Sequence, residues 1–207
     1  MKSTPMKITR ALAAIAMLAL LAGCSILPKH EDITIYTAVA QSAPSPSWPQ
    51  VRAQLAIARP TAERMLADPR IVVRPSPGEL QVYRGATWAE PPPEMVQRSL
   101  LQLLEDSGRL KGVATRGGGL SSDYELATDI RRFDSDYAGG NAPNAVVEIA
   151  ARLVSNDGRV VAFRVFHAET PATSTAVPAV AQAFQQSLAK DSQDIAGWAL
   201  GTMANGR

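Results

Sequence analysis

Cysteine and histidine are nearly missing from this chain. One cysteine, Cys24, and two histidines, His30 and His167, occur in 207 residues. A single cysteine excludes an intrachain disulfide and every metal site built from several thiolates. No GxSxG, HExxH or GxxxxGK[ST] run occurs, so the signatures of a nucleophile elbow, a zincin helix and a phosphate loop are absent. Charge of one sign is lacking too: 21 Lys and Arg stand against 19 Asp and Glu. A nucleic-acid partner asks for a concentrated basic face, and none is visible. Beyond residue 22 no segment is apolar enough to insert into a bilayer.

What is present begins at the N-terminus, "MKSTPMKITRALAAIAMLALLAGCS". Lys2, Lys7 and Arg10 form a basic n-region, and Ala11 to Ala22 is an uncharged apolar run. That is the length of a secretory h-region and is short for a membrane span, which takes about 20 apolar residues. The run ends in "LAGC", which resembles the lipobox of bacterial lipoproteins. An ordinary signal peptide with an incidental cysteine is the alternative. The lipobox implies cleavage before Cys24 and acylation of its thiol and new amine by palmitate-type chains. Ser25 in second place then implies the outer membrane. Two or more acyl chains anchor a protein almost permanently. Removing residues 1–23 leaves 18 basic against 19 acidic residues, a net charge of −1. The organisation expected is a signal peptide at 1–23, a lipidated tether with one short strand at 24–50, and a single domain at 51–207.

Periodicity gives the elements. "ITIYTAV" (Ile33–Val39) and "VRAQLAI" from Val51 alternate like strands, and "SAPSPSWP" between them cannot continue one. "TAERMLADP" reads as a short connection or helical turn. "RIVV" and "LQVY" flank a Pro-Ser-Pro-Gly turn. Val96, Leu100, Leu103 and Leu104 share one helical face, and Gly108 stands where a C-terminal cap belongs. "RGGGLSS" reads as a loop. Three strands follow, with Tyr124, Leu126 and Ile130 on one face, then Val147, Ile149, Ala151 and Leu153, then Val161, Phe163 and Val165. Between the last two, "NDG" is expected to close a three-residue loop that pairs Ser155 with Arg159 and holds Gly158 left-handed. That register sets Leu153 against Val161, Ile149 against Val165, and His167 against Val147. A final helix is expected from about Pro178 to Ala199. The fold class is α+β, a mostly antiparallel sheet with two helices on one face.

No catalytic constellation, metal site or cofactor site is expected. His167 ends its strand without an evident partner residue. In "YRGATWAEPPPEM" (Tyr83–Met95), Pro93 suits a first helical turn and Glu94 suits the positive end of the helix dipole. Trp88 is expected to be buried and structural, packing like a staple on the helix start near Val96. Tyr83 is expected to end its strand and to be the more exposed contact residue of the two.

The stretch "LQVYRGATWAEPPPEMVQRSLLQLLEDSGRLKGV", Leu80 to Val113, resembles the signature of the ABC-type transport auxiliary lipoproteins, the PqiC-like family. The lipobox, "ITIYTAV" and "DYEL" also fit. The "QSAPSPSWPQ" spacer departs from the family pattern. The resemblance implies a non-catalytic lipoprotein at the periplasmic face of the outer membrane. It would dock a periplasmic MCE-domain protein of a transporter that moves lipids between the two membranes. A scaffold or activator of cell-wall enzymes is the alternative, and a homo-oligomer is compatible with either. Cys24→Ala is expected to block acylation and processing. Intact mass and membrane fractionation check this, and identical mass and fractionation for variant and wild type would refute it.

Overall fold

A computed structural model describes residues 32–39, 42–119 and 121–206. Cys24, Ser25, His30 and the whole signal region lie outside the described residues. The compact unit spans Ile33–Arg207.

Helix α1 (Pro92–Ser107) forms where proline and glycine punctuate the chain. Pro91 is its extended N-cap, and Pro92 and Pro93 take positions whose N–H groups need no intrahelical partner. Gly108 closes it in the left-handed conformation with φ 58, its N–H donating to the Glu105 carbonyl at 3.1 Å. Val96, Leu100, Leu103 and Leu104 are all buried, as the heptad spacing requires. Glu94 accepts from Arg59 at 2.6 Å. Helix α2 (Val177–Asn205) buries Ala181, Phe184, Leu188, Ile195 and Ala199. It runs one and a half turns beyond the expected end, because Leu200 and Met203 continue the apolar face and are fully buried.

The two helices cover one mixed sheet of nine strands. The strands are β1 (Thr34–Tyr36), β2 (Val51–Ile57), β3 (Thr61–Ala62), β4 (Arg70–Arg74), β5 (Gln81–Trp88), β6 (Leu110–Thr115), β7 (Tyr124–Asp136), β8 (Asn144–Ser155) and β9 (Val160–Pro171). Long antiparallel ladders β7–β8 and β8–β9 carry most of the pairing. On its other side β7 is shared in turn by β2, β3 and β4, all parallel to it. A bulge between Ile130 and Arg132 lets β7 bend and returns Phe133 to the core face behind Leu126 and Ile130. β1 joins at an edge, parallel to β5.

Three strands differ from the sequence reading. β6 lies in "RLKGVAT", whose half-buried residues show no clean alternation and carry no strand signal. β5 does not end near Tyr83 but continues to Trp88 through Gly85, whose φ of 63 accommodates an irregularity opposite β4. The third correction concerns β9. The three-residue loop forms as expected: the Ser155 N–H donates to the Arg159 carbonyl at 2.9 Å, and Gly158 has φ 84. An extra residue, Val161, then sits between the pairs Val154–Val160 and Leu153–Ala162. A one-residue slip exchanges the two faces of a strand. Ala151 therefore pairs with Arg164 and Ile149 with Phe166, and His167 stands against Glu148 rather than Val147. Phe166 goes inward, edge-on to Trp198 at 5.6 Å, while Val161, Phe163 and Val165 face outward. Counting apolar residues per face presumes that the apolar face is the buried one, and on this edge strand it is not.

At the centre, Phe133 stacks on Phe184 at 4.9 Å, and Trp88 meets both edge-on, at 6.1 and 5.3 Å. Trp88 is 2% exposed. Its ring thus joins β5 to β7 and α2 as well as sitting at the helix start. The segment leading to β2 is fastened to α2. Gln185 Nε2 donates to the Thr37 carbonyl, Ser42 Oγ to that of Ala189, and Gln193 Nε2 to that of Ala43, each at 2.9 Å. Trp48 presses on the same helix at Gly197, where a Cβ would fall 2.8 Å from its Nε1.

One core position breaks the apolar rule. Asp191 on α2 is fully buried, and among the described residues neither carboxyl oxygen has a hydrogen-bond partner. Burial pushes its pKa up to about 7; Lys190 opposes the shift, and Asp194 and Glu148 add to it. Asp191 is therefore neutral in mildly acidic solution and strained toward ionisation above neutrality.

Two outcomes follow from the core. Trp88→Ala is expected to cost about 3–5 kcal/mol, read from denaturant unfolding. For Asp191, the folded chain holds the proton that the unfolded chain loses above its ordinary value of 3.8. Stability from this group therefore falls as pH rises between that value and about 7, then levels off, by as much as ~4 kcal/mol. Asp191→Asn should melt close to wild type near pH ~4 and clearly above it near pH ~8. A pH-independent difference between the two proteins would refute the assignment.

Candidate functional site

The two aromatic residues singled out in the sequence are not together on a surface. Trp88 is in the core, as expected. Tyr83 is not an exposed contact: it lies within β5, half-buried, and its hydroxyl shares a 2.9 Å hydrogen bond with Ser135 on β7. Burial, above all, pushes the phenol up to about 12, so it stays neutral. The expectation failed because β5 runs on past Tyr83, which makes this a mid-strand position.

His167 has carboxylate neighbours after all. Its Nδ1 is 3.4 Å from Glu148 and its Nε2 is 3.7 Å from Glu169. The bulge at Val161 brings this about by moving His167 onto the outward face. Among the described residues, no group of three or more His, Cys, Asp or Glu side chains is arranged to hold a metal ion. No helix among them is long and apolar enough to cross a membrane.

The outward face of the sheet carries two features that sequence reasoning missed. The first is a charged cluster on β7. Arg132 donates to Asp134 and to Asp136, each at 2.6 Å, and Arg74 reaches Asp134 at 3.4 Å. Asp134 is itself buried. Its bond to Arg132, with that of Asp136, raises the guanidinium pKa against the cost of burial. These charges satisfy one another and hold the bent end of β7 to β4.

The second feature is apolar. Among the described residues β9 pairs only with β8, so its far side is an open edge. On its outward face Val161, Phe163 and Val165 are 38, 51 and 37% exposed, and Val160 is 54% exposed beside them. Arg152 lies over the Phe163 ring at 5.5 Å and covers part of it. A long apolar edge strand is normally blunted by charge, proline or a covering element. Here the neighbouring charge on that face, Arg152, stacks on the Phe163 ring rather than interrupting the strip. Such a strip can accept an added strand or an apolar surface. The sequence signal is present in "VVAFRVF", but alternation alone places it in the core.

The fold has relatives of known structure. A protein of Xanthomonas campestris superimposes with a TM-score of 0.80 at 46% identity, covering 84% of this chain and 98% of its own. An uncharacterized protein shares the fold alone, with a TM-score of 0.59 at 19% identity, over 80% of this chain and 97% of its own. A curated relative, an uncharacterized protein of Bradyrhizobium diazoefficiens, is 28% identical over 153 residues, which is 74% of this chain. The chain spans about two fifths of that relative's length, 41%. Residues 34–196, from β1 through most of α2, match the family described as the ABC-type transport auxiliary lipoprotein component, and the chain belongs to that family.

Proposed function

We propose that this chain is the lipid-anchored outer-membrane subunit of a transporter that carries lipids between the two membranes, and that it acts by docking a periplasmic MCE-domain protein rather than by catalysis. The observation that carries this reading is the β9 strip. Its apolar side chains, open backbone edge and the arginine stacked on Phe163 offer a surface suited to a protein partner, on the face that the helices leave open. Membership of the auxiliary lipoprotein family supports a transporter as the setting. The "LAGC" motif supports an anchor at Cys24, and Ser25 supports the outer membrane. The partner contact moves from Tyr83 and Trp88, which are engaged in the fold, to Val161, Phe163 and Val165.

Val161→Asp combined with Phe163→Asp tests the reading. Both positions are exposed, so thermal melting should stay within about 0.5 kcal/mol of wild type. Purification from membranes with mass spectrometry should recover an MCE-domain protein with wild type. The double variant should lose it, since an apolar anchor of this kind contributes about 2 kcal/mol or more to binding. Equal recovery by both proteins would move the interface elsewhere, and recovery of cell-wall enzymes instead would favour the scaffold reading.

A further inference from the structure

We propose that Ile33 and Ile35 are the bilayer contact of the anchored domain, so that β1 lies in the lipid headgroup zone and the sheet stands away from it toward β9. This rests on the acylation of Cys24 proposed above. Ile33 and Ile35 are 66 and 65% exposed, the largest exposures among the big apolar side chains of the described residues. They share one side of the edge strand. Tyr36 pairs with Trp88, which is in the core, and Ile35 pairs with Thr87, so Ile35 points to the opposite face. Across that face the row continues from Ile35 through Thr87 to Arg70, whose charge is met by Asp68 at 2.8 Å. With Ile33, that face thus presents two isoleucines and a hydroxyl, and the cation of the row is paired.

Chain position decides the occupant. Nine peptide steps separate Cys24 from Ile33, and a fully extended chain covers roughly 30 Å in that distance. Ile33 is the first apolar residue of the compact unit that the anchor would reach. A bilayer held this close is present at a far higher effective concentration than a dissolved protein partner. Exposed aliphatic side chains on a short edge strand suit the interfacial zone, where backbone edges remain hydrated. From β1 through β5, β4, β7 and β8 to β9 is five strand spacings, or roughly 24 Å at about 4.8 Å each. The outward face also turns by about 20–25° per spacing through sheet twist, so a bilayer contact at β1 leaves the β9 strip turned away from the headgroups and open to a partner.

The full-length protein with Thr34→Cys labelled by an environment-sensitive nitrobenzoxadiazole dye tests the contact, because acylated Cys24 offers no thiol. Reconstitution uses vesicles of phosphatidylethanolamine and phosphatidylglycerol with nitroxide-bearing acyl chains. The dye at position 34 should lose most of its fluorescence. The loss should largely disappear when Ile33→Ser and Ile35→Ser are added, with the melt unchanged. A dye at Val165→Cys on β9 should remain bright. Equal quenching with and without the isoleucines, while intact mass shows acylated Cys24, overturns the bilayer contact and leaves the anchor standing. Unacylated Cys24 overturns both. Shielding of position 34 from aqueous iodide without quenching by the nitroxide lipid assigns the face to a protein surface and also overturns the proposal.

Discussion

Trp88, Phe133 and Phe184 meet where β5, β7 and α2 cross, and the remaining structure is arranged around that contact. Aromatic residues make up 5% of the chain, so committing three of them to one cluster concentrates much of the large-ring burial there. Each ring comes from a segment distant in sequence. Edge-on and stacked geometries contribute about 0.5–1.5 kcal/mol per pair beyond area burial. Trp88 also precedes the proline run, so the ring that ties the three elements together sets where α1 begins. The bulge in β7 belongs to the same arrangement, since without it Phe133 would face away from Phe184.

Local punctuation was the part of the fold most legible in the sequence. Pro91 to Pro93 and Gly108 bracket α1 because ring closure and left-handed backbone act at single residues, independent of what packs nearby. The NDG loop was legible for the same reason. Strand faces were legible only where burial decides them. β8 buries Val147, Ile149, Ala151 and Leu153 as its alternation requires, yet also Val146 and Ala150 on the other side. β9 inverts the pattern altogether. One inserted residue is invisible to an alternation count, and it determines whether "VVAFRVF" is core or surface. Tyr83 and β6 were obscured differently, since both belong to half-buried strands with no apolar rhythm of their own.

The candidate surface follows from that inversion. A strand that turned Phe163 and Val165 inward would have left an ordinary polar edge and a chain with little to offer a partner. The observed register instead seats Phe166 against Trp198 beneath α2 and leaves an apolar strip outside. A bulge thus separates the residues that hold the domain together from those available for docking, within one strand.

The fastening of the chain before β2 has a mechanical meaning. Thr37, Ser42, Ala43 and Trp48 are held to α2 by separate contacts in sequence order, and β1 adds only three paired residues at the sheet edge. A pull on the N-terminus loads these attachments one after another, like stitches, before any force reaches β2 in the core. Releasing residues 34 to 48 would pay out roughly 50 Å of chain while the nine-strand body kept its remaining eight strands and both helices. The segment is an extensible strap, able to lengthen under load without unfolding the rest of the sheet.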